Sequence, residues 1–558
     1  MIPPIEARRI TGPHLLGDRP GAALDVALAP EESGRVAAWE DAARRLLTLV
    51  GWHDETTAVR RFPAGANLFV SAPLDGLYAA TDLAELAWSS AGGALPADAV
   101  ARLRERIASE RNPGLLALER ESRRRGLTFL HDDDGVSVGS GRGVRVWDED
   151  ALPDPAGIDW SGVFDVPIGL VTGSNGKTST VRLAAAMARE AGHTPGYTTT
   201  DGVAVGREII LPTDFAGPMG ARVALRDPRV TIAILETARG GILRRGLAVR
   251  RADAAVVTNI AEDHFGDFGV GSLEDLLAAK LVATRVVPRG GSVILNADDP
   301  LLRRSGRTMA SVTWFSRSGR IPDESRQLVR EGDELVRYDG GRRPIATLDD
   351  VRPATGAAAG YEIENVLAAA ALALALGVPE SAVAPALRRF DPAADNPGRG
   401  TFLDLDGVTV LVDYGHNPHG IAALGDLLDS IPATRRLIVL GQAGDREDEA
   451  IADLARSALA LRPDRVILKE LGEYRRGRSP GEVRAILRTA LLAGGYPAAA
   501  VEDVESEVDA VRRAIAWSRP GDLLILLVHE NREAVLALLR EAGATTPPRT
   551  LRDSSRSA

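Results

Sequence analysis

Two hydrophobic rhythms alternate along most of the chain. Short apolar runs of strand length end in polar or glycine-rich turns, and stretches with apolar residues at three- and four-residue spacing follow them. The clearest case is PIGLVTGSNGKTSTVRLAAAMAREAG at 167–192, which reads as a buried strand, a glycine turn and an amphipathic helix. VTIAILET, AAVVTNI and GGSVILN repeat the strand pattern, each closing on polar residues, with helical patterns between several of them. This alternation predicts a mostly parallel sheet, whose ligands bind beyond the carboxyl ends of the strands. After DNPGRGTF (395–402) a second series begins with VTVLVDYGHNPHG, RRLIVLGQAGDRED, RVILKELGEY and DLLILLVHE. Before residue 160 the pattern differs. Helical stretches (AWEDAARRLLTLVGW and DAVARLRERIASERNPGLLALERESRRRG) precede an alternating segment, LTFLHDDDGVSVGSGRGVRVW, which predicts a hairpin. The run GSGRG inside it lacks a following helix, so it reads as a hairpin turn or bulge and not as a nucleotide loop.

The predicted architecture is therefore α/β. A P-loop-type central domain with a mostly parallel sheet spans 161–397, and a smaller α/β domain spans 398–543. An α+β domain precedes them at 1–160, and a disordered tail is expected at 544–558.

Composition narrows the function. The chain has 558 residues, no cysteine and a formal net charge of −10. Thiol catalysis, disulfides and Cys-based metal sites are excluded, and a basic face for duplex nucleic acid is not expected. No apolar run approaches a membrane span and no secretory signal is recognised, so cytoplasmic residence is expected, with no membrane partner. Of 67 Lys and Arg, only Lys177, Lys280 and Lys469 are lysine. Arginine replaces lysine where a plain cation suffices, but not where an amine or a compact charge is needed. The three lysines are thus functional candidates.

The strongest chemical signal is Gly173-Ser174-Asn175-Gly176-Lys177-Thr178-Ser179. A strand-to-helix turn of this composition aims backbone N–H groups at a phosphate. Lys177 would reach the β/γ-phosphates and the Thr178 hydroxyl would bind Mg²⁺. The usual P-loop pattern needs glycine at the place of Val171, so the loop is a shortened variant. Glu236 and His264 stand at two further strand ends. Beside nucleotide phosphates, such a carboxylate and imidazole suit a second divalent ion bridging the transferred phosphate and an acceptor carboxylate.

These motifs resemble the Mur ligase superfamily, and within it the branch formed by the Mur-like half of cyanophycin synthetases. GYTTTDG (196–202), LETARGGILRRGL (235–247), NADDP (296–300), VDYGHNP (412–418), GDRED (444–448) and KELGEYRRGRSPGE (469–482) carry the likeness, which runs over about 165–535. The resemblance implies an ATP-dependent amide ligase working through an acyl phosphate, adding one amino acid, arginine or another, to the carboxylate of an aspartate-containing or peptide acceptor. It also implies that Thr178, Glu236 and His264 hold Mg²⁺, with two ions expected, and that Asn296 lies against adenine. Arg399 and Asp413 would close on ATP, with His416 and Asn417 in the same closing motif. Thr199, Thr200, Asp201 and Arg239 are implied as substrate contacts. Lys280 matches a superfamily lysine that CO₂ carbamylates, turning an amine into an anion that supports Mg²⁺; on this basis Lys280→Arg is expected to fold yet lose turnover. Lys469, with Glu470, Arg475, Arg476 and Arg478, would meet the amine substrate or form a solvated charge cluster. A homo-oligomer is left open.

Two departures bear on substrate. The stretch before Gly173 is too short for both an N-terminal region and the ATP-grasp domain of cyanophycin synthetases, so single ligation is expected, not backbone polymerisation. Tyr361-Glu362-Ile363-Glu364-Asn365 matches relatives at Asn365 but not at the two positions preceding it. The alternatives are a ligase for another metabolite or peptide natural product, and a regulatory or scaffold subunit paired with an ATP-grasp enzyme.

Overall fold

The computed structural model describes residues 7–29, 32–262, 265–351, 360–429 and 431–546. Its centre is an eleven-stranded sheet. Ile168–Thr172 lies between Ile232–Glu236 and Ala254–Val257, all parallel, with Pro195–Thr199 beyond the first and Ser292–Asn296 beyond the second. The chain leaves the middle strand in one direction and returns in the other, which opens a crevice at the carboxyl ends of these strands. The apolar strand runs are explained by burial on both faces. Val171, Ile232, Ile234 and Val256 pack under the helices Lys177–Glu190 and Gly360–Ala375, while Ile168, Leu170, Leu235 and Ala255 share the opposite core with Val282 and Ala283.

The sheet is longer than the sequence pattern suggests. Val312–Ser316 and Arg326–Glu331 extend the parallel block, and Glu334–Asp339 and Arg342–Thr347 complete an antiparallel meander at its edge. These last strands carry charged residues on their exposed faces, which weakens their alternation.

The second α/β series forms its own six-stranded sheet. Thr401–Leu405 pairs antiparallel with Val408–Asp413; Leu523–Leu527, Arg436–Leu440, Arg465–Lys469 and Val501–Val504 follow in parallel. The turn between the two domains runs through Gly398 (φ 74°) and Gly400 (φ 68°), at the expected boundary. Thr545 and Asp404 exchange backbone hydrogen bonds of 2.8 Å, so the chain follows this sheet past 543; the rest of the predicted tail, from 547, lies outside the described residues.

The N-terminal region holds the predicted helices, with Asn112 capping Pro113–Arg125 by accepting from the Leu115 N–H. It also holds a four-stranded antiparallel sheet (Ala7–Ile10, Gly21–Ala27, Gly65–Ser71, Thr57–Phe62) that the sequence pattern does not single out. The 127–147 hairpin is present, and Gly141–Gly143 is a single 3₁₀ turn between its strands. No helix among the described residues is long and apolar enough to cross a membrane.

Lys469 ends a strand of the C-terminal sheet with its side chain fully enclosed. Its Nζ donates to Glu507 and to the Leu527 carbonyl. Glu507 also accepts the backbone N–H groups of His529 (2.7 Å) and Glu530 (3.0 Å). This lysine is held in the core, and a guanidinium would overfill the space. Replacing it by methionine leaves a buried carboxylate with its backbone N–H donors but no counter-charge, so Lys469→Met is expected to lower stability by about 3 kcal/mol in denaturant unfolding. A loss below about 1 kcal/mol would show that the pair is not an internal one.

Candidate active site

The phosphate-type loop is built by glycines that nothing larger can replace. Gly173 (φ 146°) and Gly176 (φ 83°) occupy left-handed backbone, and a Cβ on them would lie 1.8 Å from Thr258 Oγ1 and 2.2 Å from Asn365 Oδ1. Val171, at the place of the missing glycine, is a fully buried strand residue, which is why the loop starts two residues later. The end of the neighbouring strand braces the loop. Asn175 N–H donates to Asn259 Oδ1 (2.9 Å) and Thr258 Oγ1 to the Asn175 carbonyl (2.6 Å). Ser174 Oγ donates to the Ala261 carbonyl (2.8 Å) and accepts from its N–H (3.0 Å). Lys177 Nζ donates back to the Ser174 carbonyl at 2.9 Å.

Glu236 closes its strand with 1% exposure. One carboxylate oxygen accepts from Thr178 Oγ1 (2.8 Å), which also lies 3.2 Å from Thr200 Oγ1; the other has no hydrogen-bond partner among the described residues. Burial pushes the Glu236 carboxyl above its ordinary range, against the pull of Lys177 and Arg399. A half-satisfied buried carboxylate beside a hydroxyl is a hard-oxygen donor pair and fits Mg²⁺. His264 lies outside the described residues, and no group of three or more His, Asp or Glu that could hold a metal occurs among those described.

Lys280 projects from the helix Leu273–Arg285 with 2% exposure and donates to the Gly173 carbonyl at 2.8 Å. In Lys280→Arg a larger, planar cation would meet the Gly173 carbonyl in place of the compact ammonium. Asn296 is buried, its amide spent on the Thr258 carbonyl (3.0 Å) and the Asp298 N–H (2.9 Å).

The loop opens into a cleft of about 420 Å³ between the central and C-terminal domains. Lys177, Thr178, Thr200, Glu236, Arg239, Lys280, Arg399, Asp413, His416 and Arg476 all line it; Thr199, Lys469 and Glu470 do not. Thr199 is spent on the Asp201 turn (3.1 Å) and Glu470 on Arg484 (2.7 Å) and the Gly481 N–H (3.0 Å). Asp413 holds the interdomain turn by accepting the N–H groups of Gly400 and Gly415, each at 2.7 Å. Arg399 stacks over Tyr414 (4.2 Å) and donates to Thr200 Oγ1 (2.7 Å).

Further contacts join the two domains beside the cleft, through Asn417 and Asp201, which do not themselves line it. Asn175 and Asn417 exchange amide hydrogen bonds (3.0 and 3.3 Å), with His419 Nδ1 3.0 Å from the same Asn175 amide. Asp201 pairs with Arg182 (2.8 Å) and with Arg532 of the C-terminal domain, and lies 4.0 Å from Arg399. Burial alone would raise the Asp201 carboxyl, but the three guanidiniums hold it below its ordinary value. Thr258, Asn259, Arg182 and Arg532 were not singled out by sequence. The first two lie in the polar strand tail TNI, which offered a signal; the arginines are indistinguishable in an arginine-rich chain.

A glycine loop at a topological switch, a buried metal-type carboxylate and a second α/β domain across the cleft define a two-domain P-loop nucleotide-binding architecture. The Mur ligase middle domain matches residues 171–373, and the Mur ligase glutamate ligase domain matches 398–527. The chain belongs to the Mur ligase family, these two domains together covering more than half of it. It is 36% identical over 372 residues to a cyanophycin synthetase of Geminocystis herdmanii, covering 65% of this chain and 42% of that protein. A cyanophycin synthetase of Synechocystis is 36% identical over 383 residues, 66% of this chain and 43% of its own. The chain thus spans about two fifths of the length of these relatives. The UDP-N-acetylmuramoyl-L-alanyl-D-glutamate–2,6-diaminopimelate ligase of Caulobacter vibrioides is 29% identical over 66% of this chain and 76% of its own. Among solved structures, E. coli FolC in complex with DHPP and ADP aligns with TM-score 0.49 and 19% identity, covering 68% of this chain and 88% of that one.

The raised carboxyl of Glu236 has a signed consequence. The native state holds this proton more tightly than the unfolded chain, so the charge weakens the fold as pH rises from the ordinary value of 4.5 through the raised one. The penalty is complete above that window. Glu236→Gln is expected to stabilise the protein by about 1–3 kcal/mol at neutral pH and to change little in strong acid. The same variant should weaken Mg²⁺-dependent ATP binding about tenfold or more by calorimetry. Unchanged stability and unchanged binding would remove the metal-ligand assignment.

Proposed function

We propose that the protein is an ATP- and Mg²⁺-dependent carboxylate–amine ligase that joins one amino acid to a carboxylate of an aspartate-containing or peptide acceptor. The observation that carries this reading is the pairing of the Thr178 hydroxyl with the half-satisfied Glu236 carboxylate, directly after a phosphate loop and inside an interdomain cleft. The relatives are a synthetase and a ligase by name, and the cleft is lined by both domains that the Mur ligase family models match.

In this reading the loop N–H groups and Lys177 hold the triphosphate, Lys177 exchanging its bond to the Ser174 carbonyl for phosphate oxygens. Thr178, Glu236 and His264 would hold Mg²⁺, which when bound neutralises charge on the phosphates. An acceptor carboxylate oxygen attacks the γ-phosphorus; the bond to the β–γ bridging oxygen breaks, giving an acyl phosphate and ADP. The amine nitrogen then attacks the acyl carbon, the C–O bond to phosphate breaks, and the amide forms with loss of a proton and of phosphate. The protein's share is positioning and charge neutralisation. Arg446, Arg476 and Asp445 line the C-terminal side of the cleft, and this set suits an amino acid's carboxylate and a cationic side chain. Lys280, a buried lysine whose amine meets the Gly173 carbonyl at the cleft wall, is the carbamylation candidate, giving an anion beside the loop.

A phosphate-release screen over amino acids paired with aspartate-containing peptides tests the reading. Release that requires both an amine and an acceptor is expected, and no release with any pair would overturn it. Lys280→Met, which fits the enclosed site, should keep ATP binding within about threefold and lose about 10²-fold or more of phosphate release. Labelled bicarbonate should give a carbamate signal in the native enzyme that the variant lacks; an active Lys280→Met enzyme would remove the role of Lys280.

A further inference from the structure

Residues 1–170 lie outside both family domains, yet one face of the N-terminal sheet is built around a single turn of the central domain. That turn, Asp267–Gly269, reaches the cleft through Asp267 and Phe268. Phe268 stands at φ 54°, a left-handed backbone that a phenylalanine adopts only where its surroundings impose it. The surroundings are polar groups from the N-terminal strands. Asn67 Nδ2 donates to the Phe268 carbonyl (3.2 Å), and Arg60 donates to the carbonyls of Phe268 (3.4 Å) and Gly269 (2.9 Å). Arg8 stacks 4.5 Å over the Phe268 ring and donates to the Leu243 carbonyl. Asp25 ties the cluster together, pairing with Arg8 (2.6 Å) and accepting from Asn67 (2.7 Å). Arg60 reaches further, to Asp275 at 2.6 Å, in the first turn of the helix that carries Lys280.

The turn has a function-bearing neighbour. Asp267 pairs with Arg239 at 2.8 Å, and Arg239 follows Glu236 by three residues and is 7% exposed. Arg239, Arg244 and Phe268 line the central-domain wall of the cleft. A guanidinium at the cleft wall, paired with the Asp267 carboxylate, has the planar donor geometry that suits an incoming carboxylate.

We infer that the N-terminal domain is a working part of the cleft: Arg60, Asn67 and Arg8 are positioning residues that hold the Asp267-Phe268 turn, and this turn aims Arg239 at an acidic acceptor. The acceptor half rests on the ligase reading above; the clamp itself does not. It follows that the N-terminal domain sets acceptor affinity without touching the acceptor. Phe268 contributes its ring as a wall, and the left-handed turn keeps the Asp267 carboxylate beside Arg239.

The full-length protein carries the test. Arg60→Met removes bonds to two carbonyls and to Asp275, so amide hydrogen exchange at 265–271 is expected to quicken at least about tenfold while exchange in the strand Ile168–Thr172 is unchanged. Equal exchange in variant and native protein overturns the clamp, whatever the enzyme's substrates prove to be. Phe268→Gly tolerates the left-handed backbone and guards against a folding failure of the first variant. With an acceptor pair from the screen, both variants should raise KM for the acceptor about tenfold and leave KM for ATP within twofold, and Arg60→Lys should recover only part of the loss. An unchanged acceptor KM overturns the acceptor assignment, as does a native enzyme that releases no phosphate with any pair; in that last case the exchange result still decides the clamp.

Discussion

A carboxylate enclosed at the end of a strand, with one oxygen satisfied and one without a partner among the described residues, is the constraint around which the site is organised. Glu236 closes the strand beside the one that feeds the phosphate loop, so sheet register alone brings its carboxylate to Thr178. Lys177 and Arg399 favour its charge from opposite domains, and neither reverses the effect of burial. An arrangement that destabilises the empty protein persists because its surroundings are rigid, and it leaves an oxygen free for a ligand.

The closing domain is attached by groups that also belong to the site. Asp201 gathers guanidiniums from the loop helix, the interdomain turn and the last helix, and Asn175 is shared between the phosphate loop and Asn417. Asn175 therefore couples the conformation of the glycine loop to the position of the C-terminal domain. Gly398 and Gly400 give the turn its backbone freedom, and Asp413 restrains it by holding Gly400.

How much of this could be read from sequence depended on whether the signal was local. The glycine loop, the strand ending at Glu236 and the turn at Gly398 are encoded within a few residues each, and periodicity found them. The meander at 326–347 is built from strands whose alternation is broken by charge, and the N-terminal sheet from short strands far apart in sequence, two of them buried along most of their length. Lysine scarcity drew attention to three positions, and for Lys469 the structure gives enclosure as the reason: a compact ammonium between Glu507 and a carbonyl, its side chain outside the cleft lining. Arg60 and Arg8 gave no sequence signal, since among so many arginines only the tertiary neighbours distinguish them. His264 lies outside the described residues.

The same scarcity shapes the protein's surface chemistry. Lys280 and Lys469 are 2% and 1% exposed, while Lys177 is only half-buried. Guanidiniums resist acylating reagents at neutral pH, so on this surface the accessible side-chain amine is the one in the phosphate loop. For a reagent selective for lysine amines, this surface offers one accessible target, and anything seated in the loop shields it. Occupancy of the loop is thereby written into the reactivity of one lysine amine.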